Sequence, residues 1–291
     1  MIQPTYRTRS SARAAEIRRL NALTPAQVSE HACSRLHVVD GIDELHLDMA
    51  QRIASELRRS EDSGRHLALI LPWGPVGQYP ILGELLKLQG LSLRNCTLFF
   101  MDEYADSAGC AVPSHHPLSF RGAALQWLAS LPSELLPEPE SVLFPDGTNS
   151  ELIDGRIAEL GGIEACFGGV GIHGHIAFNE PEPGVSKSGI RRVTLNEFTR
   201  TINAIRAGVG GDLENFPREA WTLGMAQCLS ARRIRLYCRS DSGLDWAKTI
   251  LRLAVLGAPG DDYPVTWIRR HADYQIVTTR ETLESPVLRL P

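Results

Sequence analysis

The chain has no uninterrupted apolar run of about 18 residues, which argues against a membrane-spanning helix. It has no C-x-x-C pair. Its six cysteines, Cys33, Cys96, Cys110, Cys166, Cys228 and Cys238, are scattered. That spacing fits no zinc site and, in a chain this long, reads as reduced thiols in a cytoplasmic protein. It also lacks a basic stripe interleaved with aromatics, and its formal charge of -4 is nearly balanced, so nucleic acid is not the expected partner. There is no 20–50-residue repeat and no low-complexity tract, which excludes solenoids and linker-rich architectures.

What remains is the composition of a soluble globular protein, 43% hydrophobic and 22% charged. With 291 residues the chain can bury a sizeable core. Residues 1–20 carry five arginines and a single acid, Glu16, a balance seen in mitochondrial presequences. No apolar face precedes Ile17 and Leu20, however, so this stretch reads as a solvated arm or an extra helix. Thr24 as N-cap and Pro25 at the first helical position start a short helix. We therefore expect residues 1–35 to be an appendage and 36–291 to be one domain.

From there strands and helices alternate. Leu45, Met49, Ile53 and Leu57 recur at i, i+4 spacing and predict an amphipathic helix over 41–60. Short apolar runs at 66–72, 96–101, 141–145, 163–171, 233–238 and 275–279 read as buried parallel strands. Helical patterns fill 79–89, 117–129, 150–160 and 243–256. The expected fold is α/β: a doubly wound, Rossmann-like, mostly parallel sheet with helices on both faces. In such sheets ligands bind beyond the carboxyl ends of the strands. Three strand ends carry unusual chemistry: "LPWGPVGQYP", "MDEY" and "GGVGIHGHIAFNEP".

The last of these, Gly168 to Pro181, has several readings. Gly169-Val170-Gly171-Ile172-His173-Gly174 matches G-x-G-x-x-G, but a dinucleotide needs a helix directly afterwards and an acid about 20 residues on. Pro181 and Pro183 stop such a helix, and Arg191-Arg192-Val193-Thr194 fill the acidic slot. His173, His175 and Glu180 could hold a metal, with His115 and His116 recruited spatially, yet no tight ligand cluster supports one. The histidines could merely close a glycine turn. Proton handling by His175 and Glu180 is the fourth reading, and it suits an imidazole that gives and takes protons near neutrality.

"GGVGIHGHIAFNEP" together with "FFMDEY" resembles the glucosamine-6-phosphate deaminase (isomerase) family, relatives of the 6-phosphogluconolactonases. The resemblance runs from about residue 36 to 285. It includes "HHPLSF" (115–120), "TRTINA" (199–204), "AWTLGM" (220–225) and "PVTWIRRH" (264–271), in the family's order. It implies a cofactor-free and metal-free reaction on a small sugar phosphate, and it leaves a homo-oligomer open. The amino sugar is opened, a proton moves from C2 to C1, and ammonia leaves. By the same resemblance Asp102 takes and returns the carbon proton, and His175 serves the ring oxygen. Glu180 orients His175. Gly74, Gly77, Gln78, Glu103, Arg200 and Lys248 bind substrate, with Arg200 and Lys248 on the phosphate. Two departures stand out. His173 replaces an aspartate. The loop at 72–79 has Trp73, Pro75 and Val76 where the family has hydroxyls, so Gln78 and Tyr79 are expected to supply donors.

Overall fold

The computed structural model describes residues 11–240 and 243–290. The leading ten residues of the arginine-rich segment, and with them much of the presequence-like composition, lie outside the described residues. The remainder of that segment is the helix α1 (Ser11–Asn21), followed by α2 (Pro25–Ala32), where Thr24 and Gln27 form a reciprocal capping box. Leu20 and Val28 are buried in the same apolar core as the sheet, so the segment expected as an appendage lies against the main body.

Seven parallel strands form the main sheet: β1 (Leu36–Val39), β2 (Leu67–Leu71), β3 (Cys96–Phe100), β5 (Val142–Leu143), β6 (Ala165–Gly169), β9 (Arg233–Cys238) and β10 (Tyr274–Thr279). Their spatial order is β1-β10-β9-β6-β2-β3-β5. Alternate side chains of each strand enter different cores. Ile70, Phe99, Cys166, Ile234 and Ile276 go to one face, and Leu69, Leu71, Leu98, Phe100, Phe167 and Val277 to the other. The first face is covered by α1, α2 and α9 (Ala247–Leu256), the second by α3 (Ile42–Ser63), α4 (Gln78–Gln89) and α5 (Phe120–Ala129). Both faces are apolar, which is why the strands read as continuous hydrophobic runs. The α3 stripe, Leu45, Met49, Ile53 and Leu57, is fully buried. The result is a single doubly wound α/β domain.

A second sheet is antiparallel and was not legible as strands: β4 (Asp102–Ala105), β8 (Glu219–Thr222) and β7 (Arg191–Thr194), in the order β4-β8-β7. It grows directly from the end of β3. Met101 N–H donates to Leu71 O in the main sheet, and Met101 O accepts from Leu223 N–H beyond β8. Helix α7 (Glu197–Ala207) lies over this small sheet around Tyr104, Phe178, Phe216 and Ala220.

The order of strands fixes where a ligand can sit. From β2 the chain builds outward through β3 and β5, then returns to place β6 on the other side of β2. Connections after β2 and β6 therefore leave the sheet in opposite directions, and a crevice opens between them. No helix among the described residues is long and apolar enough to cross a membrane.

Candidate active site

Three adjacent strands, β6, β2 and β3, end at this switch point, and their ends are the three unusual stretches of the sequence. The loops touch. A Cβ on Gly169 would lie 2.7 Å from Gly74 O, and one on Gly168 would lie 2.6 Å from the Met101 methyl. Only glycine at the end of β6 lets the loop after β2 fold over it.

The loop after β2 contains a cis Gly74–Pro75 peptide and is closed by its own side chains. Gln78 Nε2 donates to Pro75 O at 2.7 Å, and the Tyr79 hydroxyl donates to Pro72 O. Trp73 stacks on Tyr79 with ring centroids 4.5 Å apart. Gln78 and Tyr79 thus shape the loop through internal bonds, and these give no support to the expectation that they compensate for lost hydroxyls. What the loop presents is the start of α4, where Gly77 provides no side-chain cap. Uncapped N–H groups at a helix start favour an anion. Gly77 is also the seat of the His46 ring, since a Cβ there would lie 2.2 Å from His46 Nδ1.

Asp102 and Glu103 are neighbours on β4, so their side chains leave on opposite sides. Glu103 is fully buried and accepts hydrogen bonds from Tyr104 N, Ser119 Oγ, Phe120 N and Arg121 N at 2.8 to 3.0 Å. Its carboxylate binds the start of α5 and the preceding turn, and these contacts give no support to the expectation that Glu103 binds sugar. Asp102 is 8% exposed and has no hydrogen bond to its carboxylate among the described residues. Burial first, and then the charge of Glu103, push its carboxyl up to about 8. A carboxyl kept neutral well above its ordinary range, at the mouth of a strand crevice, is a group suited to exchanging a proton.

The turn after β6 folds back tightly. Gly171 N–H donates to His175 O at 3.0 Å, and Gly174 N–H to Gly171 O at 2.8 Å. No helix follows, as Pro181 and Pro183 dictate. This folding lays the His175 ring on Gly171, where a Cβ would sit 1.8 Å from Nε2. His175 Nδ1 faces Glu180 Oε2 at 3.7 Å, with both side chains nearly buried. Burial raises the carboxyl of Glu180, but His175, the Thr199 hydroxyl and His173 together hold it below the ordinary carboxylate range. His173 points its ring edge-on to Phe198 of α7, with centroids 5.2 Å apart. The segment 176–180 is fastened beside Asp102: Phe178 N–H donates to Thr222 Oγ1, and Thr222 is the strand partner of Asp102. Among the described residues no group of three or more His, Cys, Asp or Glu is placed to hold a metal ion.

Arg200 is not presented to this crevice. Its buried guanidinium bonds Glu197 at 3.0 Å, Leu213 O and Phe216 O, so it braces α7 against the 208–217 loop. These contacts give the phosphate role expected of it no support. Arg206 stands on the last turn of the same helix. Its charge reaches Tyr104, and its guanidinium lies over the Trp246 ring in cation–π fashion, 5.9 Å from the centroid. Trp246 is two residues before Lys248, which stands half-buried on the first turn of α9. The "TRTINA" stretch contains only Arg200; Arg206 lies two residues beyond it, and nothing in its local sequence marked it.

A doubly wound sheet with acid–base side chains at its switch point is the arrangement of a small-molecule site in an α/β fold. Comparison with known proteins narrows this. The chain is 30% identical over 210 residues to a glucosamine-6-phosphate deaminase of Caenorhabditis elegans, covering 69% of this chain and 74% of that one. It is 29% identical over 249 residues to that of Halalkalibacterium halodurans, covering 83% and 94%. Among solved structures, a monomeric glucosamine-6-phosphate deaminase superposes with a TM-score of 0.73 at 25% identity, covering 85% of this chain and 98% of that one. A 6-phosphogluconolactonase from Trypanosoma cruzi, at 18% identity and a TM-score of 0.61 over 87% and 97%, shares the fold. No family model matches the chain. The protein belongs to the glucosamine-6-phosphate deaminase family and is an enzyme of that kind.

Proposed function

We propose that the enzyme converts an amino-sugar phosphate of the glucosamine 6-phosphate type into a ketose phosphate and ammonia by proton transfer among its own side chains. The observation that carries this reading is the convergence of a buried, neutral-leaning Asp102 and a buried His175–Glu180 pair on one crevice. Asp102 moves the proton between C2 and C1. An ammonium group brought beside it favours the carboxylate, so a cationic amino sugar turns a protonated acid into the base the step requires. His175, steadied by Glu180, passes a proton to the ring oxygen as the sugar opens.

The phosphate is assigned to the uncapped start of α4, with Gly74 and Gly77 letting the backbone approach, and to Lys248 and Arg206. Because the hydroxyls of the loop are absent and its side-chain donors are spent, this pocket relies on backbone N–H groups and cations. A screen across amino-sugar and neutral hexose phosphates tests the assignment, reading ammonia and ketose together. Ammonia and ketose in equal amounts from glucosamine 6-phosphate are expected. Binding of that sugar without either product would sink the reading.

A further inference from the structure

Glu180 answers to two neighbours. Its Oε2, the oxygen 3.7 Å from His175 Nδ1, accepts a 2.5 Å hydrogen bond from Asn196 Nδ2. Asn196 is also the N-cap of α7, its Oδ1 accepting from Thr199 N–H at 2.9 Å. These partners fix which way the amide faces. Flipped, its carbonyl would meet a carboxylate and its amine an N–H. One end of the amide therefore starts α7 and the other holds Glu180. Meanwhile His175 Nδ1 and Glu180 Oε1 are buried with no hydrogen-bond partner. The carboxylate is held by the helix start at hydrogen-bond distance, and by the imidazole only at longer range.

The groups around Glu180 are few. His175 and His173 come from the turn after β6, and Thr199 from α7. Of the other acids nearby in sequence, Glu197 on the first turn of α7 is paired with Arg200, and Glu182 with Arg191. The cap role by itself needs only an acceptor, which Ser and Asp supply as well as Asn. The amide donor toward Glu180 is what Asn alone adds.

We propose that Asn196 is a positioning residue whose amide keeps Glu180 ionised and aimed at His175, so that the docked first turn of α7 sets the pH at which the pair can move a proton. This rests on the acid–base reading above. A donor to the charged form of a carboxyl favours that form, and its removal raises the pH of titration. Two substitutions keep the cap acceptor and remove the amide donor toward Glu180. Asn196→Ser drops the amide. Asn196→Asp sets a second carboxylate against Glu180.

The experiment follows the Glu180 carboxyl carbon by NMR across pH in the protein without substrate, alongside the pH profile of kcat/KM for glucosamine 6-phosphate. In Asn196→Ser the Glu180 midpoint is expected to rise by about one pH unit, and in Asn196→Asp by more. The acid limb of kcat/KM should move up in the same order, with the melting temperature of the serine variant kept within about 2 °C of the parent. Equal Glu180 titration in all three proteins overturns the proposal. A midpoint that moves while the acid limb stays fixed overturns its link to the proton relay. If none of the proteins turns the sugar over, the substrate assignment fails, while the NMR titration still decides what Asn196 does.

Discussion

Substituting Asp102→Asn separates the two states of the carboxyl without changing its shape. In the folded protein burial and the neighbouring Glu103 raise Asp102 from an ordinary 3.8 to about 8. In the unfolded chain it titrates near its ordinary value. Between these values the folded state binds the proton and the unfolded state does not, so stability falls as pH rises. The contribution is fully present below the unfolded value and gone above the folded one. At 1.36 kcal/mol per unit the whole span is about 6 kcal/mol, and the part between pH 5 and 8 is about 4 kcal/mol. An asparagine does not titrate and loses none of this. For a domain of this size about 2 °C accompanies each kcal/mol. The melting temperature of Asp102→Asn relative to the parent should therefore climb by about 8 °C between pH 5 and pH 8, followed by calorimetry in matched buffers. Catalysis should respond oppositely, with exchange of the C2 proton into solvent lost at every pH. A melting difference that stays constant over this range would show Asp102 already ionised in the native protein at pH 5 and refute the reasoning.

Three further changes test other parts of the site. Glu103→Gln leaves four buried donors facing a weaker acceptor and should cost about 2–3 kcal/mol in urea unfolding. It also removes a like charge from beside Asp102, so the pH window of the Asp102→Asn comparison should move downward. Arg200→Ala frees the carbonyls of Leu213 and Phe216 and should lower stability by about 2 kcal/mol with KM for the sugar phosphate little changed; a large rise in KM at unchanged stability would make it a phosphate ligand after all. Gly171→Ala puts a methyl 1.8 Å from where His175 Nε2 now lies, so the ring must turn. Turnover should fall by about 100-fold with native circular dichroism, and parental kcat would mean His175 is not held by this contact.

Much of the main sheet was legible because each buried strand announces itself as a short apolar run and each helix as a repeating stripe. The edge strand β1, Leu36–Val39, escaped because its four residues are all half-buried and carry no such contrast. The small antiparallel sheet escaped for a related reason. "RRVT" and "EAWT" show only weak alternation, and β8 pairs with β4 across more than a hundred positions of sequence. That pairing nonetheless docks the His175 segment beside Asp102.

The sequence alone supplied the residue types at the strand ends: Asp102, His175 and Glu180 are acid–base groups wherever they stand, and Pro181 forbids the helix a dinucleotide would need. Partnership was decided only in three dimensions. Whether Glu103 and Arg200 face a substrate or the protein depends on which buried donors and carbonyls lack partners, and that is a property of the packed chain. The folded protein spends Glu103 on α5, Arg200 on the 208–217 loop and Gln78 on its own turn, and leaves Asp102 with only burial and a like charge. Those two influences raise its carboxyl and support the proton-transfer role proposed for it.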